Sequence, residues 1–252
     1  MPKVRELDYA DELKAQREAW ERKPTLRSVY RNWYSKIDER LAPLGPTIEI
    51  GSGCGNLKET IPDVIGTDVI PAGPWLDCLV DAAALPFGDQ TIGNLVMADV
   101  LHHLPRPIDF LRDAARVLKP GGRLVLLEPA ATPWARLVLG LFHHEPVDLK
   151  QPIFEEDGTP PPANDGFSFA NQAFASLLFV ESPDETQQRV PELTLEEVHR
   201  SDFIVYPATG GFSYYSLVPA SLAEPALNLE ERLLKRTGNL TAMRLLVVLQ
   251  RA

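Results

Sequence analysis

Pro46-Thr47-Ile48-Glu49-Ile50-Gly51-Ser52-Gly53-Cys54-Gly55-Asn56-Leu57 is the stretch on which the reading of this chain turns. An apolar, β-prone run that ends in an acid and breaks into alternating glycines reads as a buried strand emptying into a tight loop. Open α/β sheets bind their ligands at such strand ends. Glycine suits the loop because the backbone must turn sharply and let a ligand approach without meeting a Cβ. The spacing Gly51-x-Gly53-x-Gly55 is not the dinucleotide fingerprint, since Asn56 stands where that motif wants its third glycine.

Downstream, Val64-Ile65-Gly66-Thr67-Asp68-Val69 reads as a second strand, ending in an acid 19 positions after Glu49 (68 minus 49). A ribose-binding carboxylate occupies that place in a nucleotide-binding βαβ unit, where it accepts from both ribose hydroxyls. The crossover 57–63 contains Pro62 and leaves room for only a stunted helix. A third strand ends at Asp81, before Leu85-Pro86-Phe87. A fourth covers 91–99 and runs into Val100-Leu101-His102-His103-Leu104-Pro105. Residues 108–118 form an amphipathic helix, Lys119-Pro120-Gly121-Gly122 a stop and turn, and Leu124-Val125-Leu126-Leu127-Glu128-Pro129 a fifth strand. Near-continuous apolar strands separated by helical or turn segments mark a parallel sheet covered on both faces.

These motifs in this order resemble the class I S-adenosylmethionine-dependent methyltransferases, and within them the group typified by the ubiquinone and menaquinone methyltransferases. The likeness is continuous from Ile48 to Pro129. It implies an α/β fold: a doubly wound, mostly parallel, seven-stranded, Rossmann-like sheet with N-terminal helices and an insertion after the fifth strand. It also implies an enzyme with S-adenosylmethionine as cofactor. On that resemblance the wall Glu49, Gly51, Ser52, Gly53, Gly55 and Asn56 holds the methionine half, and Asp68 with Val69 takes the ribose. Asp81 and the amide of Ala82 meet adenine, whose amine donates and whose ring nitrogens accept. Asp99, flanked by Ala98 and Val100, meets the methionine amino group.

The remainder is read for the acceptor. The expected organisation is one domain over 1–252: a helical cap (1–44), the cofactor core (45–129), a substrate lid (130–200) and C-terminal strands and helix (201–252). Helices are expected over 9–22 and 26–41, with Tyr30, Trp33 and Tyr34 either packed on the sheet or covering the ligand. After the fifth strand come an apolar helix around Trp134, the run Phe142-His143-His144-Glu145-Pro146, and a Pro-rich stretch over 152–166 that argues a lid. Residues 167–174 and 177–180 are expected as helix then strand. A helix over 222–236 is expected to stop at Thr237-Gly238-Asn239, and 242–250 to close the chain as the antiparallel strand beside the fifth.

His103, His143, His144 and Glu145 are the candidates for catalysis, because a neutral imidazole can take a hydroxyl proton near pH 7. For His102 and His103 alike a core or cofactor-wall role stands beside catalysis, and His103 is the one favoured as base. No metal ligand is assigned: adjacent histidines diverge on a helix, no further ligand is spaced nearby, and the transfer requires no metal. Glu128-Pro129, Trp134 and Phe142 to Pro146 also resemble methyltransferases of polysaccharide and cell-envelope neighbourhoods, which tilts the acceptor towards a sugar or lipid-linked sugar. The expectation is methyl transfer to a small-molecule or glycan acceptor, on oxygen. A quinone- or polyketide-type acceptor and a non-catalytic cofactor-binding protein are the alternatives.

At 252 residues, 44% hydrophobic and 24% charged, the composition is that of an ordinary globule. A formal net charge of -10 argues against nucleic acid as a partner. Two cysteines, Cys54 and Cys78, make no disulfide framework. With no apolar leader and no run long enough to span a bilayer, the expected location is cytoplasmic, without stable membrane insertion. Nothing in the pattern sets an oligomeric state.

Overall fold

The computed structural model describes residues 4–71, 73–143, 145–154 and 169–252. Two helices, α1 (Val4–Arg22) and α2 (Pro24–Asp38), precede the sheet. Pro24 opens α2, where its missing N–H costs nothing. Leu26, Val29, Tyr30, Trp33 and Ile37, spaced by three and four, are all buried.

The strands are β1 (Thr47–Ile50), β2 (Ile65–Asp68), β3 (Cys78–Leu79), β4 (Ile92–Ala98), β5 (Leu118–Pro129), β6 (Leu193–Ser201) and β7 (Arg244–Arg251). They form one seven-stranded sheet in the order β3-β2-β1-β4-β5-β7-β6. All neighbours are parallel except β7, which runs antiparallel to both β5 and β6. The order reverses between β1 and β4, so a crevice opens beyond their carboxyl ends, at Gly51 and Asp99. Only a short 3-10 turn, Asn56–Glu59, fills the first crossover.

Alternation along the strands divides the core. Ile48, Ile50, Leu95, Met97, Leu124, Leu126, Leu245 and Val247 pack on the face that carries α3 (Pro107–Val117). Val96, Val125, Leu127, Leu246 and Val248 pack on the opposite face, against α2 and Leu227 of α8 (Ala220–Thr241). Tyr30, Trp33 and Tyr34 belong to this second layer, so the aromatic residues of α2 are buried on the sheet. Shorter helices α4 (Pro133–Phe142), α5 (Phe174–Ser176), α6 (Pro183–Arg189) and α7 (Val205–Ala208) complete the chain. Among the described residues no helix is long and apolar enough to cross a membrane.

Four local expectations change. Residues 177–180 are not a strand: Leu177–Glu181 continues α5 as a π-helical turn, closed by Ser182 N–H donating to the Leu177 carbonyl at 3.0 Å. Leu177, Leu178 and Phe179 are buried in succession, and a segment enclosed on every side carries no period to separate helix from strand. Residues 193–201, placed at the end of the lid by sequence, are the edge strand β6. Gly238 does not stop α8; a Cβ there would sit 3.3 Å from Arg200 Cβ, so the glycine admits a close approach of β6. Lys119 to Gly122 bulge within β5, since Ile92 pairs with Leu118 but Asn94 with Arg123.

Candidate active site

The glycine loop meets the demands read from its sequence. Gly51, Gly53 and Gly55 have φ of 73°, 51° and 70°. A Cβ on Gly51 would lie 2.4 Å from Val100 Cγ2, so glycine is needed there for space as well as for backbone freedom. The loop is tied to β2: Ser52 N–H donates to the Thr67 carbonyl at 2.7 Å, and Gly53 N–H to the Asp68 carboxylate at 2.9 Å. Asp68 also accepts from Val69 N–H at 2.8 Å. It is buried, which pushes its carboxyl up, while these backbone donors pull it back down.

Glu49 lies beneath the loop, 3% exposed. Burial raises its carboxyl to about 8, and its Oε2 has no hydrogen-bond partner among the described residues. Asn56 is buried with its Oδ1 likewise unpartnered. At the adenine end Asp81 is exposed and accepts from Ala83 N–H at 2.8 Å, with Ala82 buried beside it and Val69 exposed. The N-terminal helix reaches this loop: Leu13 packs on Cys54, and Arg17 donates to the Cys54 carbonyl at 2.6 Å while lying over the Trp75 ring. Trp75 in turn donates from Nε1 to the Gly53 carbonyl at 2.8 Å.

Asp99, at φ 60°, sits where the chain leaves β4. Both its oxygens are engaged by the Arg244 guanidinium, one at 2.7 Å, and Arg244 lies 4.6 Å from the Trp33 ring centre and 5.0 Å from that of Tyr206. Burial works against the Asp99 charge, but Arg244 holds its carboxyl below the usual range. Asp99 is thus an ion-pair partner whose side chain keeps 36% of its surface exposed. Ala98 packs towards α2, and Val100 lies on Gly51.

Beyond Asp99 a second set of polar groups converges. Glu128, fully buried at the end of β5, accepts from the amides of Val100 and Leu101 at 2.9 and 2.8 Å, and its other oxygen is 2.6 Å from His102 Nδ1. His103 Nδ1 is 3.1 Å from the Phe169 carbonyl, and the two imidazole rings lie 4.2 Å apart. Facing them is Glu145, with carboxylate oxygens 3.6 Å from His102 Nε2, 3.8 Å from His103 Nε2 and 3.8 Å from His143 Nδ1. Gln172 donates its amide to Glu145 and is itself held by its N–H on the Pro146 carbonyl at 3.0 Å.

Burial disfavours the His102 charge, yet Glu128 and Glu145 raise it to about 10. Burial and the neighbouring His102 charge both lower His103. Burial would raise Glu145, but the two histidines bring it down to about 2. Glu145 and His143 also line a groove of about 600 Å³ against Arg136, Leu137 and Gly140 of α4. That is the size of small-molecule sites.

Of the sequence candidates, His103, His143 and Glu145 are thus brought together; His144 lies outside the described residues. His102 is the most deeply set member. Glu128, Gln172 and Arg244 were missed as site residues. For Arg244 a signal existed: a lone arginine opening the apolar run Leu245-Leu246-Val247-Val248-Leu249.

Residues 48–126 match a family described as a methyltransferase domain. The ubiquinone/menaquinone biosynthesis C-methyltransferase of Ruegeria sp. is 45% identical over 53 residues, 21% of each chain. That of Paracoccus denitrificans is 30% identical over 128 residues, 42% of this chain and 51% of the relative. The chain therefore spans between about a fifth and half the length of these relatives. A geranyl diphosphate methyltransferase solved in complex with S-adenosylmethionine superposes with a TM-score of 0.52 at 14% identity, covering 88% of this chain and 85% of that one. This likeness shows a shared fold.

Proposed function

We infer that this chain, which carries a class I S-adenosylmethionine-dependent methyltransferase domain, moves the sulfonium methyl of that cofactor to a small-molecule acceptor through an ionisable hydroxyl. One observation carries the reading: at the point where the sheet order reverses, a glycine loop with strand-end carboxylates faces a wall of imidazoles and Glu145. The cofactor supplies an already activated methyl, so the protein has to orient, exclude water and move a proton.

The residues fit that cofactor. Asp68 takes the ribose hydroxyls with lone pairs its backbone donors leave open, and Asp81 with Ala82 takes adenine. Glu49, with its unpartnered buried oxygen, is the acceptor best placed for the methionine ammonium, and Asp99 adds its open flank. At the other end His103 is the histidine that meets the acceptor: its side chain is 40% exposed where that of His102 is 3% exposed. With Nδ1 on the Phe169 carbonyl, its Nε2 is the atom turned to take a hydroxyl proton, and Glu145 and His143 border the same space.

O-methylation of a sugar or lipid-linked sugar is the preferred form, supported by the likeness around Trp134 and His143. C-methylation of a quinol-type ring is the second reading, favoured by what the aligned relatives are named for; it too begins with ionisation of a hydroxyl. Incubating the protein with methyl-labelled cofactor and fractionated cell extract separates them. Label in a saccharide fraction, released by ether cleavage, supports the first, and label fixed on carbon in quinone-like lipid replaces it with the second. Absence of S-adenosylhomocysteine binding in calorimetry would overturn both.

A further inference from the structure

Three donor atoms meet at the acceptor end of the cleft. His102 Nε2, His103 Nε2 and a Glu145 carboxylate oxygen all lie within 4.8 Å of one another. The two N···O separations, 3.6 and 3.8 Å, exceed hydrogen-bond length.

The contacts on the opposite ring nitrogens have a direction. His102 Nδ1 rests on a carboxylate and His103 Nδ1 on a backbone carbonyl, so both rings are oriented with Nε2 towards Glu145. Outer carboxylates and carbonyls of this kind fix the tautomer and orientation of metal-binding histidines. Gln172 donates to Glu145 Oε2, the oxygen that faces His102, and so fixes the carboxylate in place. A cation bound at about 2.0–2.2 Å from each donor bridges donors roughly 3–4 Å apart.

We propose that His102, His103 and Glu145 form a site for one divalent first-row transition cation, of which zinc is the type. Two imidazoles and a carboxylate favour zinc, manganese, iron(II) or cobalt(II) over magnesium and calcium, which seek oxygen. Three protein ligands leave a position open, and the groove beside Glu145 supplies an entry. The proposal rests on the reading of this end as the acceptor site and deepens it. The acceptor would be an oxygen ligand of the cation, its hydroxyl acidified there and its proton lost to solvent through the groove, with His103 a ligand and no longer the base. The chain-local view that found no third ligand near His143 and Glu145 could not see this, since the fold brings His102 and His103 to Glu145.

The test uses the full chain after chelator treatment, titrated with zinc by calorimetry and with cobalt(II) by visible absorption. One equivalent of zinc is expected, with d–d bands of bound cobalt. His103→Ala and Glu145→Gln should each weaken zinc by at least about 100-fold, and Glu128→Gln, acting through His102, by about 10- to 100-fold. Unchanged far-ultraviolet dichroism in the half-exposed His103→Ala variant excludes unfolding as the cause. Failure of the wild-type chain to bind zinc below millimolar concentration, or equal affinity in His103→Ala and Glu145→Gln, overturns the site. S-adenosylhomocysteine binding is measured in parallel. Cofactor binding without zinc would sink the cation site and leave the proposed function standing; zinc without cofactor would do the reverse.

Discussion

The two ends of the cleft are built by different means. The cofactor end is local: Glu49, the glycines, Asp68, Asp81 and Asp99 are ends of successive strands, and the bonds that hold the loop run between β1 and β2. The acceptor end is assembled from His102 and His103 after β4, Glu128 at the end of β5, Glu145 after α4, and Phe169 and Gln172 before α5. A site made of neighbouring strand ends is specified by the sheet itself. A site made of four segments depends on each of them docking, and damage to one end should leave the other measurable.

The sharpest challenge to that contrast is Arg244, a distant residue under the local end. Arg244→Met removes the partner of Asp99 and takes the guanidinium away from the Trp33 and Tyr206 rings, leaving a strand-end carboxylate without it. Breaking a buried pair costs about 3–5 kcal/mol. Asp99 is about a third exposed and partly screened, so the low end, about 3 kcal/mol, is expected. In a chain of this size that is a fall in Tm of roughly 5–10 °C, read by thermal unfolding. An unchanged Tm would show that the ion pair is not formed in solution.

Asp68→Ala comes next. It should weaken S-adenosylhomocysteine binding by at least tenfold, on the scale of about 1.5–3 kcal/mol for charge-assisted bonds, measured by calorimetry. The matching change at the other end, Gln172→Ala, should shift that affinity by less than about twofold while lowering methyl transfer to extract acceptors, since additivity holds for sites without shared partners. A comparable loss in both variants would mean that the ends are coupled and the contrast is wrong.

The same contrast explains what could be read from sequence. Strands β1, β2, β4 and the later half of β5 were legible because each carries a short apolar run that gives way to a glycine or a carboxylate. The loop conformation followed from glycine spacing alone. β6 was not, because Leu193-Thr194-Leu195 alternates apolar and polar but the period breaks at Glu196-Glu197, where the register shifts, within a stretch already read as lid. Glu128 was quoted only as part of a motif, although its partners follow from register. Met97 pairs with Leu126 and Ala98 with Leu127, so one step further sets Glu128 beside Asp99 and the amides that follow. Arg244 follows in the same way from its pairing with Pro129. Glu145 and Gln172 had no such route: loop docking leaves no period in the sequence.

The smallest effect expected lies under the loop. Glu49 is buried, and burial raises its carboxyl from 4.5 to about 8. The sign follows from linkage. The cofactor-free fold holds this proton more tightly than the unfolded chain, so its contribution to stability is complete below pH about 4.5 and is lost as pH climbs through about 8. If the methionine ammonium docks on Glu49, binding must expel that proton. Affinity should then rise about tenfold per pH unit between pH 6 and 8, equivalent to about 1.4 kcal/mol per unit, and level off above. Calorimetry at pH 7 in buffers of different ionisation enthalpy should count close to one proton released per cofactor bound. Glu49→Gln should abolish both the release and the slope while raising the stability of the cofactor-free protein above pH 7. A flat profile in the wild-type chain would move the ammonium to Asp99 and make the Arg244 pair, rather than the carboxylate on β1, the anchor of the cofactor end.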